Sequence, residues 1–146
     1  MTRYADTSLL ASLYLNDARA AESVALLRSR SIPVTVLGRI ELLNALQLAV
    51  FRRQILAAEA AALRATIEQD LAGGVLRMTP LPARVFERAE ALVASHSAAL
   101  GARSLDVLHV ATAVELGAGV FLTYDQRQAA LARAAGLKVR PAGLGV

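Results

Sequence analysis

RSLDVLHVATAVELGAGVFLTYDQRQAALARAAGLKVR, running from Arg103 to Arg140, decides the fold. Leu105 to Leu116 has the composition of a helix, and Gly117 and Gly119 separate it from the next apolar segment. That segment, Val120 to Thr123, is short and apolar, the mark of a strand. Asp125 then opens a second helix that continues to Ala135, where Gly136 caps it, and Leu137 to Arg140 is a further strand. Strands reached through helices pair in parallel, because a parallel neighbour needs a long crossover and the helix supplies it.

The rest of the chain keeps the same alternation. Arg3 to Ala5 is a brief strand, with helical material from Ser8 to Leu15 and from Ala18 to Arg28. Pro33 ends that stretch, and Val34 to Leu37 reads as a buried, β-branched strand. Helix formers fill Gly38 to Gly73. A break near Arg52 to Gln54 makes this a helical hairpin at about 38–73, which Gly73 and Gly74 close. Val75 to Met78 is the next strand, and Pro80 and Pro82 lead into a helix from Ala83 to His96. Gly101 marks a turn before Leu105. The expectation is an α/β fold whose parallel strands are covered by helices on both faces, with ligands bound outside the carboxyl ends of the strands.

Composition narrows the function. The 146 residues, 55% of them hydrophobic and 19% charged, exclude a disordered tail and suit a single domain with a sizeable core. No apolar run reaches the roughly 18 residues of a membrane span. The most apolar stretch, Leu42 to Phe51, is interrupted by Asn44 and Gln47. Asp6 stands where an export signal would be apolar, and the absence of cysteine agrees with a reducing cytoplasm. Sixteen basic residues stand against twelve acidic ones, and all but Lys138 are arginines, whose planar fork suits phosphate. Genomic base composition yields the same arginine bias, so charge alone decides nothing. Aromatics at 4% argue against a base-stacking platform.

Four acids carry the chemistry. Asp6 follows the first strand and precedes a helix, Asp125 does the same after Val120 to Thr123, and Asp106 lies in the first turn of a helix that Ser104 is placed to cap. Glu41 occupies a comparable place after Val34 to Leu37. Helix starts favour ionised carboxylates through unpaired N–H groups and the macrodipole. Massed carboxylates repel unless a cation sits among them. A hard divalent ion such as Mg²⁺ fills that role and suits phosphodiester hydrolysis. Each acid alone reads more readily as a cap or a solvated helix charge; their shared placement shifts the balance toward a set.

The segments ADTSLL (Ala5 to Leu10), RIELLNAL (Arg39 to Leu46), RSLDVLHVATA (Arg103 to Ala113) and LTYDQRQAALARAAGL (Leu122 to Leu137) resemble the PIN-domain ribonucleases, and more narrowly the VapC toxins of toxin–antitoxin pairs. The third and fourth segments together are the specific ones, and the four in order cover nearly the whole chain. The resemblance implies a single PIN domain over 1–146, with a three-layer α/β/α fold and a short, mostly parallel central sheet. It implies a Mg²⁺- or Mn²⁺-dependent endoribonuclease acting on structured cellular RNA, often a transfer or ribosomal RNA. It also implies a homodimer and a cognate antitoxin that blocks the site. Asp6 and Asp106 match the principal metal ligands, Glu41 and Asp125 the other acids, and Thr123 a hydroxyl that orients a carboxylate or a water. Thr2 and Arg3 are more polar than the family's first strand usually is.

Beside these, Arg103 reads either as a functional residue, steering phosphate as a substrate-binding group or pairing with a site carboxylate, or as a solvated loop arginine. Arg39 reads as a crevice residue or as a partner of Glu41. His109, three positions after Asp106, reads as a packing residue first and a metal or acid–base group second. His96 reads as a surface residue near a helix end. The Leu42 to Phe51 helix is apolar on most sides, as for one that is part core and part contact surface. Two other classes of function keep or discard the acids: a DNA nuclease or other phosphoesterase with the same site, and a non-catalytic RNA- or partner-binding module. Ser8, two positions after Asp6, argues against a haloacid-dehalogenase phosphatase, and no P-loop is present.

Overall fold

Residues 2–27 and 31–143 are described by the computed structural model. In chain order its elements are β1 (Arg3–Ala5), α1 (Thr7–Leu15), α2 (Ala20–Leu27), β2 (Ile32–Val34), α3 (Val36–Phe51), α4 (Ala57–Ala72) and β3 (Leu76–Met78). Then come α5 (Val85–Leu92), a π-helical turn (Val93–Ser97), α6 (Ala98–Leu100), α7 (Ser104–Glu115), β4 (Val120–Leu122), α8 (Gln126–Ala134) and β5 (Lys138–Arg140). The expected α/β class holds, and every strand pair is parallel. The chain divides into two units, Met1–Asp6 with Leu81–Val146, and Thr7–Pro80.

In the first unit the strands run in the order β1-β4-β5. Tyr4 pairs with Phe121 and Ala5 with Leu122, while Phe121 pairs in turn with Val139. The middle strand, VFL, is buried at all three positions, which is why it carries no polar alternation. Helix α7 packs on α5 and on α8. It buries Val107, Val110, Ala111 and Ala113, and α5 buries Val85, Ala89 and Leu92 at spacings of four and three. These residues join Tyr4, Phe121, Leu131 and Val139 in one core. Gly101, at φ +65°, reverses the chain between α6 and α7 in the left-handed region that a side chain disfavours.

In the second unit β2 pairs with β3, Ile32 beside Leu76. Helix α1 packs on α2 and α3, and α3 on α4. One stripe of α3 is buried (Gly38, Leu42, Leu46 and Ala49), while Ile40, Leu48 and Phe51 are exposed. The apolar surround of this helix is therefore half core and half surface. Tyr14 donates to Asp70 on α4 at 2.5 Å; burial first, then that carboxylate, pushes its hydroxyl pKa far above the ordinary range.

Several boundaries differ from the sequence reading. The second strand is Ile32–Val34, not Val34 to Leu37, because the Thr35 side chain accepts from the Gly38 N–H and starts α3 at Val36. Pro33 therefore lies inside a strand. The break between the long helices covers 52–56 rather than Arg52 to Gln54. The helix expected from Ala83 to His96 starts at Val85 and passes into the π turn at Val93. Ser104 does not cap α7: Arg103 is the N-cap residue and Ser104 the first helical one. Arg28, expected at the end of the second helix, lies outside the described residues.

Candidate active site

The strand register places the site. Ala5 stands opposite Leu122, so the next residues, Asp6 and Thr123, emerge side by side where two parallel strands end. The Asp6 N–H donates to the Leu122 carbonyl at 3.0 Å and fixes that alignment. The crevice beyond such strand ends is where ligands gather in α/β folds.

Asp6 is fully buried, and the Thr123 hydroxyl donates to its Oδ2 at 2.5 Å. The same hydroxyl accepts the Asp125 N–H at 2.9 Å, which commits its one proton to Asp6. Asp125 is the N-cap of α8: its Oδ1 accepts the Gln128 N–H at 2.9 Å. Its Oδ2 faces Arg103 Nη2 at 3.4 Å. Arg103 also places Nε 3.1 Å from Asp106 Oδ2, and that oxygen accepts the Arg103 N–H at 3.2 Å. Asp106 occupies the third helical position of α7, so its carboxylate reaches back to the helix start as half of a capping box; arginine has no acceptor to complete the other half.

A continuous chain of contacts thus runs Asp6, Thr123, Asp125, Arg103, Asp106. His109 and Tyr4 set its far end. Their side chains are hydrogen-bonded at 2.6 Å between Tyr4 Oη and His109 Nδ1, and Tyr4 stacks on Phe121 with ring centroids 5.5 Å apart. His109 lies one turn after Asp106, so this buried pair pins α7 to β1 and brings Asp106 toward the strand end. The packing role read for His109 holds; Tyr4 was not singled out by its sequence, where a tyrosine between Arg3 and Ala5 carries no signal of a partner 105 residues away.

The Arg39 expectation changes. Arg39 pairs with Glu68 on α4 at 2.5 Å rather than with Glu41, since residues two apart on a helix do not face each other. Glu41 lies in the second unit, where it accepts a hydrogen bond from Thr7 Oγ1 at 3.2 Å. His96 sits in the π turn, half-buried.

The donor chemistry is right for a hard divalent cation: carboxylate and hydroxyl oxygens, two of the carboxylates nine-tenths or more buried. The spacing is not: among the described residues no three His, Cys, Asp or Glu side chains stand together as a metal-holding group. The cation found between Asp106 and Asp125 is Arg103.

The PIN domain family model matches residues 3–134, a span that includes every residue of this chain of contacts. The chain belongs to the PIN domain family. Among solved structures this PIN domain is similar to VapC20 of Mycobacterium tuberculosis, a sarcin–ricin loop cleaving toxin, at 21% identity and a TM-score of 0.65, covering 93% of this chain and 96% of that one. It is similar also to FitAcB from Neisseria gonorrhoeae at 21% identity and a TM-score of 0.67, covering 94% and 96%. At such identity the likeness speaks for the fold. No curated protein matches the sequence significantly.

Thr123 offers a direct test of the chain of contacts. Thr123→Val keeps the shape but removes the hydroxyl that donates to the Asp6 carboxylate and accepts the Asp125 N–H. Activity is expected to fall about 10- to 100-fold, the usual effect of removing a residue that orients ligands, and Thr123→Ser is expected to restore most of it. Equal cleavage rates for the valine and serine variants would show that the hydroxyl orients nothing.

Proposed function

We propose that this PIN domain is the toxin of a toxin–antitoxin pair, a metal-dependent endoribonuclease that hydrolyses RNA phosphodiester bonds in the cytoplasm. The observation that carries this reading is the file of Asp6, Thr123 and Asp125 beyond the ends of two parallel strands, joined through Arg103 to Asp106 at the start of α7, in a chain of the PIN family. The similarity to a sarcin–ricin loop cleaving toxin supports the same direction. The whole chain is read as one PIN domain. An antitoxin partner and a homodimer are part of the proposal, as the motif resemblance implies.

Asp6, Asp106 and Asp125 are proposed as the ligands of Mg²⁺ or Mn²⁺, and Glu41 as the fourth acid from the motif alone. A bound divalent ion supplies Lewis-acid stabilisation of phosphate charge and a more acidic water. The protein's own part is positional. Thr123 holds the Asp6 carboxylate, the first turn of α8 holds Asp125, and the Arg103 main chain holds Asp106, so three anionic groups keep fixed directions without help from solvent. Arg103, exposed over 62% of its side chain, is within reach of solvent and of a polyanion.

The purified chain, incubated with total cellular RNA and Mg²⁺ or Mn²⁺, is expected to yield discrete fragments, and EDTA is expected to stop the reaction. A folded chain that cuts DNA hairpins and spares RNA would replace this reading with a DNA nuclease. One that cuts neither would replace it with a binding module.

A further inference from the structure

We propose that Arg103 is the built-in counter-ion of the acid site, a competitor of the divalent cation whose displacement frees the guanidinium for the RNA phosphate. The inference rests on the metal-dependent reading above and assigns the site its regulation.

One guanidinium spans two acids through two different nitrogens, Nε toward Asp106 and Nη2 toward Asp125. Nitrogen–oxygen contacts of 3.1 and 3.4 Å hold the carboxylates farther from the shared charge than the roughly 2.0–2.1 Å of a Mg²⁺–oxygen bond. A pair of carboxylates held by arginine is therefore looser than a pair held by a metal ion. The same positive charge keeps Asp106 and Asp125 from repelling each other before the metal arrives.

The side chain is also placed to leave. Its 62% exposure opens the guanidinium to water and ions, and its contact with the partly exposed Asp125, at 3.4 Å, is the weaker of the two; the carboxylate of Asp106 itself is buried. Asp106 does not depend on it for position, because the Arg103 main-chain N–H donates to the same Oδ2 at 3.2 Å. The guanidinium can swing away while the carboxylate stays at the start of α7. Released beside the acids, it presents a planar fork to a phosphate.

The test is Mn²⁺ binding by the full chain without RNA, read by calorimetry and by the electron paramagnetic resonance signal of free Mn²⁺. Arg103→Gln is expected to bind Mn²⁺ about threefold to tenfold tighter than wild type, as removal of one partly exposed cation from two carboxylates allows. Arg103→Lys, which keeps the charge, is expected to stay near wild type. With RNA added, Arg103→Gln is expected to reach its maximal rate at lower Mn²⁺ while that rate is reduced. Unchanged or weaker Mn²⁺ binding by Arg103→Gln, or tightening by Arg103→Lys of the same size, would overturn the competition. Asp106→Asn serves as the reference for lost binding. If wild type and Arg103→Gln both bind no Mn²⁺, the metal-centre reading itself falls, and the inference with it.

Discussion

Asp6→Asn is expected to cut RNA cleavage by about a thousandfold or more, because the site loses a charge that no neighbour can replace. Asparagine has nearly the shape of aspartate, and its Oδ1 still accepts the Thr123 hydroxyl, so the strand ends keep their alignment. The thermal midpoint is expected to stay level or to rise, since neutralising a fully buried carboxylate removes a desolvation cost kept for function. Asp106→Asn is expected to behave alike in activity, with Arg103 losing one of its two carboxylate partners. Rate assays with melting curves on both variants decide the matter: cleavage that survives in the two would remove the acids from the mechanism. A collapse of the melting curve would mean instead that the acids serve folding.

The second large effect concerns stability. Phe121→Ala is expected to destabilise the protein by about 3–5 kcal/mol, the usual result of emptying a buried aromatic site. Phe121 is wholly buried in the middle strand and stacked on Tyr4, whose hydroxyl is bonded to His109. Its loss removes the ring stacked on Tyr4, and through Tyr4 loosens the link between β1 and α7. With total stabilities of about 5–15 kcal/mol, such a loss is a large fraction of the whole. Urea titration followed by circular dichroism measures it, and a change below about 1 kcal/mol would contradict the central place given to this residue. Phe121→Leu is expected to cost less, because most of the volume remains.

The parts of the fold that the sequence displayed are those decided within a few residues. The 103–140 stretch alternated correctly because Gly117 and Gly136 take left-handed backbone at the helix ends and VFL is apolar throughout. Asp125 read as a helix start, and it is one. Where two local signals competed, the weaker-looking one won. Thr35 capped α3 and shortened the strand that Val34 to Leu37 suggested, and Pro33 was accommodated within the strand. The π turn at Val93–Ser97 had no sequence mark, since a slip of one hydrogen bond changes neither helix propensity nor spacing.

The sequence by itself determined the chemistry available to this protein: oxygen donors without thiols, arginine as nearly the only cation, and aspartates at places where a helix begins. The tertiary structure alone decided the partners. Thr123 meets Asp6 across 117 positions of chain, Arg103 reaches Asp125 across 22, and Arg39 chooses Glu68 over its near neighbour Glu41. The reason is one of range. Caps and turns are settled by backbone geometry over four or five residues, whereas the neighbour of a side chain is settled by how strands register and helices pack, which no short window of sequence contains.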